Sequence, residues 1–137
     1  MKFFLSGEID GTKHLDAIDK KFRVSSELVT NKLTPILESN DYGNAVKELS
    51  IIPIIVKQPK EMDDESWFRE RKLFKRKSSS ADFRLRIDYD QFCNGDDKAR
   101  IDLIVKNIIN SVQILRSRAT KDFDGERLEA DILNVFK

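Results

Sequence analysis

DFRLRIDYD, Asp82 to Asp90, is the stretch on which the reading of the fold turns. Phe83, Leu85, Ile87 and Tyr89 alternate with Asp82, Arg84, Arg86, Asp88 and Asp90, the cleanest period of two in the chain. Successive side chains of a strand point to opposite faces, so the stretch predicts a strand with one apolar and one charged face. A sheet covered on one side and wet on the other favours antiparallel pairing. The apolar face needs helices to cover it, and the charged face is left to meet a partner.

Working outward towards the N-terminus, Ser78 to Ala81 is a short turn, and Trp67 to Lys77, WFRERKLFKRK, is a long outer strand in a hairpin with Asp82–Asp90. Neither of its faces is apolar enough for a core, and its lysines and arginines protect an edge from wrong pairing. Gln58 to Ser66 is a loop, acidic through Glu61, Asp63, Asp64 and Glu65. Leu49 to Val56, LSIIPIIV, is a nearly continuous apolar run, which predicts a strand buried on much of both faces. Pro53 has no N–H to give a ladder, so it predicts an edge position or a bulge. Ser39 to Asn44 is dense in turn formers, with Gly43 available for a positive φ. From His14 onward Leu15, Ile18, Phe22, Ser25, Val29, Leu33 and Ile36 recur at three and four. That is a helix stripe, and Pro35 is expected to kink or end the helix near Thr34. Lys2 to Ile9 reads as a strand with Phe3 and Leu5 on one face and Phe4 and Ser6 on the other, and its aromatics predict that it is tied down inside the sheet.

Towards the C-terminus, Asn94 is placed to cap a helix over about Asp96 to Arg118, with Asp97 near its positive end. Its stripe of Ile101, Ile104, Val105, Ile108, Ile109, Val112 and Leu115 is the widest in the chain and is the expected cover for the sheet. Each large side chain buried there contributes on the order of 1.5–3 kcal/mol before entropy is subtracted. Asp124 caps a short last helix whose Leu128, Ile132, Val135 and Phe136 pack inward. The expectation is a single α+β domain over residues 1–137. It has an antiparallel sheet of about four strands with helices packed on one face, in the order β-α-β-β-β-α-α.

The chemistry that composition excludes is broad. With 25 Lys and Arg against 24 Asp and Glu, the formal net charge is +1, so no whole-molecule attraction to nucleic acid or an anionic membrane is expected. No run approaches the ~20 apolar residues of a membrane span. The apolar start of MKFFLSGEID is too short for a secretion signal, and the expected compartment is the cytoplasm. Cys93 is the single cysteine and reads as a small apolar filler; His14, the single histidine, stands at a helix entrance without a Cys or His cluster around it. There is no phosphate-cradling glycine loop and no zinc-ligand spacing. Asp88 and Asp90 share one strand face, where pairing with Arg or Lys across the sheet explains them better than acid–base work or metal binding. No catalytic residue, cofactor or metal is expected.

Two surfaces remain as candidates. The hairpin carries Arg69, Arg71, Lys72, Lys75, Arg76, Lys77, Arg84 and Arg86 among Trp67, Phe68 and Phe74, a composition that binds single-stranded nucleic acid by stacking and phosphate contact. Glu70, Asp82, Asp88 and Asp90 interrupt that patch, which favours a solvated edge or a protein-binding face instead. The acidic loop beside Trp67 gives the pattern of such an interface: charge steers association and an aromatic anchor holds it. The expected interface is Glu61, Asp63, Asp64, Glu65 and Trp67, with Arg84, Arg86 and Asp88 of the charged strand face.

Several segments in order also resemble a known family. LSGEI at Leu5–Ile9 opens the chain, Tyr42-Gly43 precedes IPII at Ile52–Ile55, FRLRIDYDQF spans Phe83–Phe92, and FDGERLEADI spans Phe123–Ile132. Their order and spacing are similar to the immunity protein 44 family of bacterial polymorphic toxin systems, across nearly the whole chain. The resemblance implies a non-enzymatic antidote in the cytoplasm that binds a cognate toxin domain, often one delivered by contact-dependent or secretion systems, and blocks its active site or substrate access. The motif residues are expected to serve the fold and do not locate the toxin-facing surface. Inhibitors of basic nuclease toxins are often strongly acidic; the near-neutral charge here departs from that habit and leaves the toxin's activity unassigned.

Overall fold

The computed structural model describes residues 1–10, 16–56, 75–77, 80–118 and 122–137. In chain order the elements are β1 (Lys2–Leu5), β2 (Glu8–Asp10), α1 (Asp16–Ser39), β3 (Glu48–Val56), β4 (Lys75–Lys77), β5 (Ser80–Asp88), α2 (Tyr89–Asn94), α3 (Asp97–Arg118) and α4 (Gly125–Val135). The strands form one sheet in the order β1-β3-β5-β4, with β2 following β1 along the same side of β3.

The sheet is parallel where the sequence led us to expect antiparallel pairing. β1, β2 and β5 all run with β3, and only β4 runs against β5. The expected antiparallel four-strand sheet and its β-α-β-β-β-α-α order are therefore overturned. The cause is the 24-residue α1, which is about 36 Å long. It carries the chain back along the sheet, so that β3 starts beside the start of β1 and runs in the same direction. Alternation in β5 reports that one face is apolar; it carries no record of which way the neighbouring strands run.

The hairpin holds over the described residues, with Lys75 opposite Asp82 and Lys77 opposite Ser80. β5 lies two residues earlier than expected: Ser80 and Ala81 already pair, while Tyr89 and Asp90 open α2. Asp90 thus leaves the strand face it was expected to share with Asp88.

Pro53 sits inside the interior strand β3, neither at an edge nor in a bulge. Lys2 N–H donates to the Lys47 carbonyl and Ser6 N–H to the Ile51 carbonyl. The next bond of that ladder would run from residue 53 to the Ser6 carbonyl, and proline has no N–H to give. The pairing breaks there: β1 ends at Leu5 and β2 resumes at Glu8 in an unchanged register, Lys2 opposite Glu48 and Glu8 opposite Ile54. Gly7 occupies this break because the Phe22 ring packs where a Cβ would project. Phe22 is buried and its ring centroid lies 5.9 Å from that of Phe92, so it has little room to retreat. Gly7→Ala is expected to destabilise the fold by about 1–3 kcal/mol, as other overpacking changes do. Urea denaturation measures it, and a loss below ~0.5 kcal/mol would show that Phe22 yields freely.

α1 and α3 cover the face of the sheet that carries Phe3, Leu49, Ile51, Ile55, Phe83, Leu85 and Ile87. α1 contributes Phe22, Ser25, Val29, Leu33 and Leu37, and α3 contributes Ile104, Val105, Ile108, Val112 and Leu115. Pro35 neither ends nor divides α1, which runs on to Ser39. Pro35 and Asn31, whose carbonyl loses its donor, are both on the solvent side of α1, where a missing bond costs least, while fully buried Leu33 and Leu37 pin the backbone on either side. The cap of α3 is Asp96, whose Oδ1 accepts from the Ala99 N–H at 2.8 Å, rather than Asn94, which ends α2. Arg100 reaches back to the Gly95 carbonyl and to Asp97, and its guanidinium lies 5.9 Å from the Phe92 ring centroid, fixing the turn between α2 and α3.

The last helix is held by a latch around Tyr42. Asp124 caps α4 by accepting from the Arg127 N–H, as its position in the sequence predicts. The Ala45 N–H donates to the Asp122 carbonyl and the Asp124 N–H to the Tyr42 carbonyl. Gly43 has φ +104°, and a Cβ on it would meet the Asp122 carbonyl, so glycine is required by conformation and by space. The Tyr42 side chain is buried, donates its hydroxyl to Asp131 at 2.7 Å and lies under the Arg127 guanidinium.

Burial, and then the Asp131 carboxylate, push the Tyr42 hydroxyl far above its ordinary value. A raised pKa in the folded state means that the stabilisation is complete below about pH 10, where unfolded tyrosine ionises, and declines as pH rises beyond it. The urea midpoint is therefore expected to fall between about pH 10 and 11.5 more steeply in the wild type than in Tyr42→Phe. Parallel curves would count against the latch.

Candidate partner-binding face

The face of the sheet turned away from α1 and α3 is set out by the strand register. Phe4 of β1 lies beside Ser50 of β3; Ile52 lies beside Arg84 of β5; Ile54 lies between Glu8 of β2 and Arg86; Val56 lies between Asp10 and Asp88. Phe4 is 52% exposed, Ser50, Ile52, Arg86 and Asp88 are half-buried, and Ile54 is buried at 5%. The face is thus less wet than the alternation in β5 implied. β3 sets aliphatic side chains between the charged positions of β5 and the aromatic of β1, which agrees with the expectation that its apolar run is buried on both sides. Apolar surface with charge at its border suits contact with another protein.

Of the residues expected to form the interface, Arg84, Arg86 and Asp88 share this face at alternate positions of β5. Glu61, Asp63, Asp64, Glu65 and Trp67 lie outside the described residues, as do His14 and the hairpin from Phe68 to Phe74. Cys93 is half-buried in α2 and packs against the core, in keeping with its reading as an apolar filler. Among the described residues no group of three or more His, Cys, Asp or Glu side chains is placed to hold a metal ion. No described helix is long and apolar enough to cross a membrane.

Two residues escaped the sequence reading. Phe4 reads from the sequence as lying opposite Phe3, but the strand was expected inside the sheet; among the described strands β1 lies at the edge instead, and Phe4 is exposed there. Arg100 is buried at 7% exposure, and the only sequence signal for it was Asp97 three positions earlier.

Among the described residues the fold and this face define a two-layer α+β protein, with helices on one side of a mainly parallel sheet and a mixed apolar and charged face on the other. The chain belongs to the Immunity protein 44 family, whose model matches residues 1–137, the whole of it. Comparison with curated proteins and with solved structures gave no match. Two of the segments that carried the resemblance, Tyr42-Gly43 and Phe123–Ile132, meet in the latch between the α1–β3 loop and α4. They are fold residues, as the resemblance implied.

Proposed function

We propose that this protein neutralises a cognate bacterial toxin domain by binding it stoichiometrically, without chemistry of its own, in the cytoplasm of the cell that makes it. The observation that carries this reading is the family match over the full chain. The sheet face turned away from α1 and α3 supports it: among the described residues it sets exposed Phe4 and half-buried Ile52 beside charged positions of β5, the mix that protein interfaces favour at their centre and rim. The contact residues on this reading are Glu61, Asp63, Asp64, Glu65 and Trp67, with Arg84, Arg86 and Asp88. Aromatic surface supplies affinity and charge supplies choice of partner.

The test is co-expression with the toxin domain encoded by the neighbouring gene. Growth is expected to be restored, and the two purified chains are expected to migrate as one complex of fixed stoichiometry. Failure to rescue growth, or turnover of a small molecule or polynucleotide by this protein alone, would overturn the reading.

A further inference from the structure

We infer that the outer edge of β1 docks an extended segment of the toxin domain, which joins the sheet as an added strand. This rests on the toxin-binding reading and gives that contact a place and a form. β1 pairs with β3 on one side, and among the described residues no strand lies on its other side. In a parallel ladder the backbone groups of successive residues point alternately to the two sides. Lys2 and Ser6 donate to β3, so even-numbered residues turn inward. The N–H and carbonyl groups of Phe3 and Leu5, and the N–H of Gly7, therefore point away from the sheet. Such an edge is a template for another strand.

Side chains on both sides of this edge say what kind of strand it takes. On one side Phe4 stands 52% exposed. On the other, a groove runs between Leu5–Gly7 and the outer flank of α1, lined by Lys20, Arg23, Ser26 and Glu27. An incoming strand sends alternate side chains to the two sides. Among the described residues the groove has Phe22 at its floor and two cations, Lys20 and Arg23, against one anion, Glu27; that balance selects a carboxylate there, and Phe4 selects an apolar residue on the opposite face. The occupant is thus an extended segment alternating apolar and acidic residues. β1 of a second copy does not fit, because residues 1–7 contain no carboxylate.

Amide hydrogen exchange on this protein, with and without the toxin domain encoded beside it, tests the inference. The Phe3, Leu5 and Gly7 amides are expected to exchange at least about tenfold more slowly in the complex, as amides entering a stable ladder do. Phe4→Lys and Arg23→Glu, both at exposed positions, are expected to raise Kd about tenfold or more with an unchanged melting temperature. A complex that leaves those three amides unchanged overturns the edge assignment while toxin binding stands. Absence of any complex overturns both. Protection that appears on concentrating this protein alone assigns the edge to a second copy and overturns the proposal.

Discussion

Tyr42→Ala is expected to destabilise the protein by about 3–5 kcal/mol, the range for truncating a buried aromatic to alanine. The side chain is 1% exposed and joins three things at once: the end of α1, the loop into β3 and the face of α4. Removing the ring leaves a cavity, takes the donor from Asp131 and uncovers the Arg127 guanidinium. Tyr42→Phe keeps the ring and loses the hydroxyl bond alone, so its expected cost is about 1–3 kcal/mol, that of a hydrogen bond to a charged acceptor. Small proteins have about 5–15 kcal/mol to lose, so Tyr42→Ala is expected to lower the melting temperature by well over ten degrees. Two urea curves settle it. A Tyr42→Ala loss below ~1 kcal/mol would show that α4 holds its place without the latch.

Trp67→Ala is expected to weaken toxin binding by at least about 2 kcal/mol, close to thirtyfold in Kd. The reason lies in the sequence: Trp67 is the single tryptophan and stands two positions after the end of the acidic run of Glu61, Asp63, Asp64 and Glu65. Large aromatics beside steering charge are where interfaces concentrate their energy, whereas rim carboxylates act mainly on association rate. Neutralising Asp63 and Asp64 together is therefore expected to slow association and flatten its salt dependence, with a smaller effect on dissociation. A titration in which Trp67→Ala costs less than ~0.5 kcal/mol would remove Trp67 from the interface. The stability of the free variant, measured alongside, separates a lost contact from a lost fold.

The two predictions draw on different information. Elements were legible wherever one local pattern decided them. The stripe of α3 ran from Ile101 to Leu115 and the helix formed there; Gly43 was marked for positive φ and has it; Asp124 was marked as a cap and accepts from the Arg127 N–H. Proline was misread twice for one reason. Its missing N–H is a local fact, but its cost depends on what lies opposite. At Pro35 it was the solvent side of α1, and at Pro53 it was a lapse in the neighbouring strand at Ser6–Gly7.

The candidate site divides in the same way. That Arg84, Arg86 and Asp88 share a face follows from a period of two. That Ile52 and Ile54 lie beside them, and that Phe4 ends one of the rows, follows from the register of β1, β3 and β5. The amino-acid sequence by itself determined α1, α3 and α4, the places of β3 and most of β5, the Asp124 cap and the family, because each is written in short-range spacing or in the order of short motifs; the α3 cap and α2 were not legible there. Only the tertiary structure decided strand direction, the neighbours of each strand and, among the described residues, the edge position of β1. Those depend on pairings between residues some thirty to fifty positions apart, which leave no periodic mark on either partner.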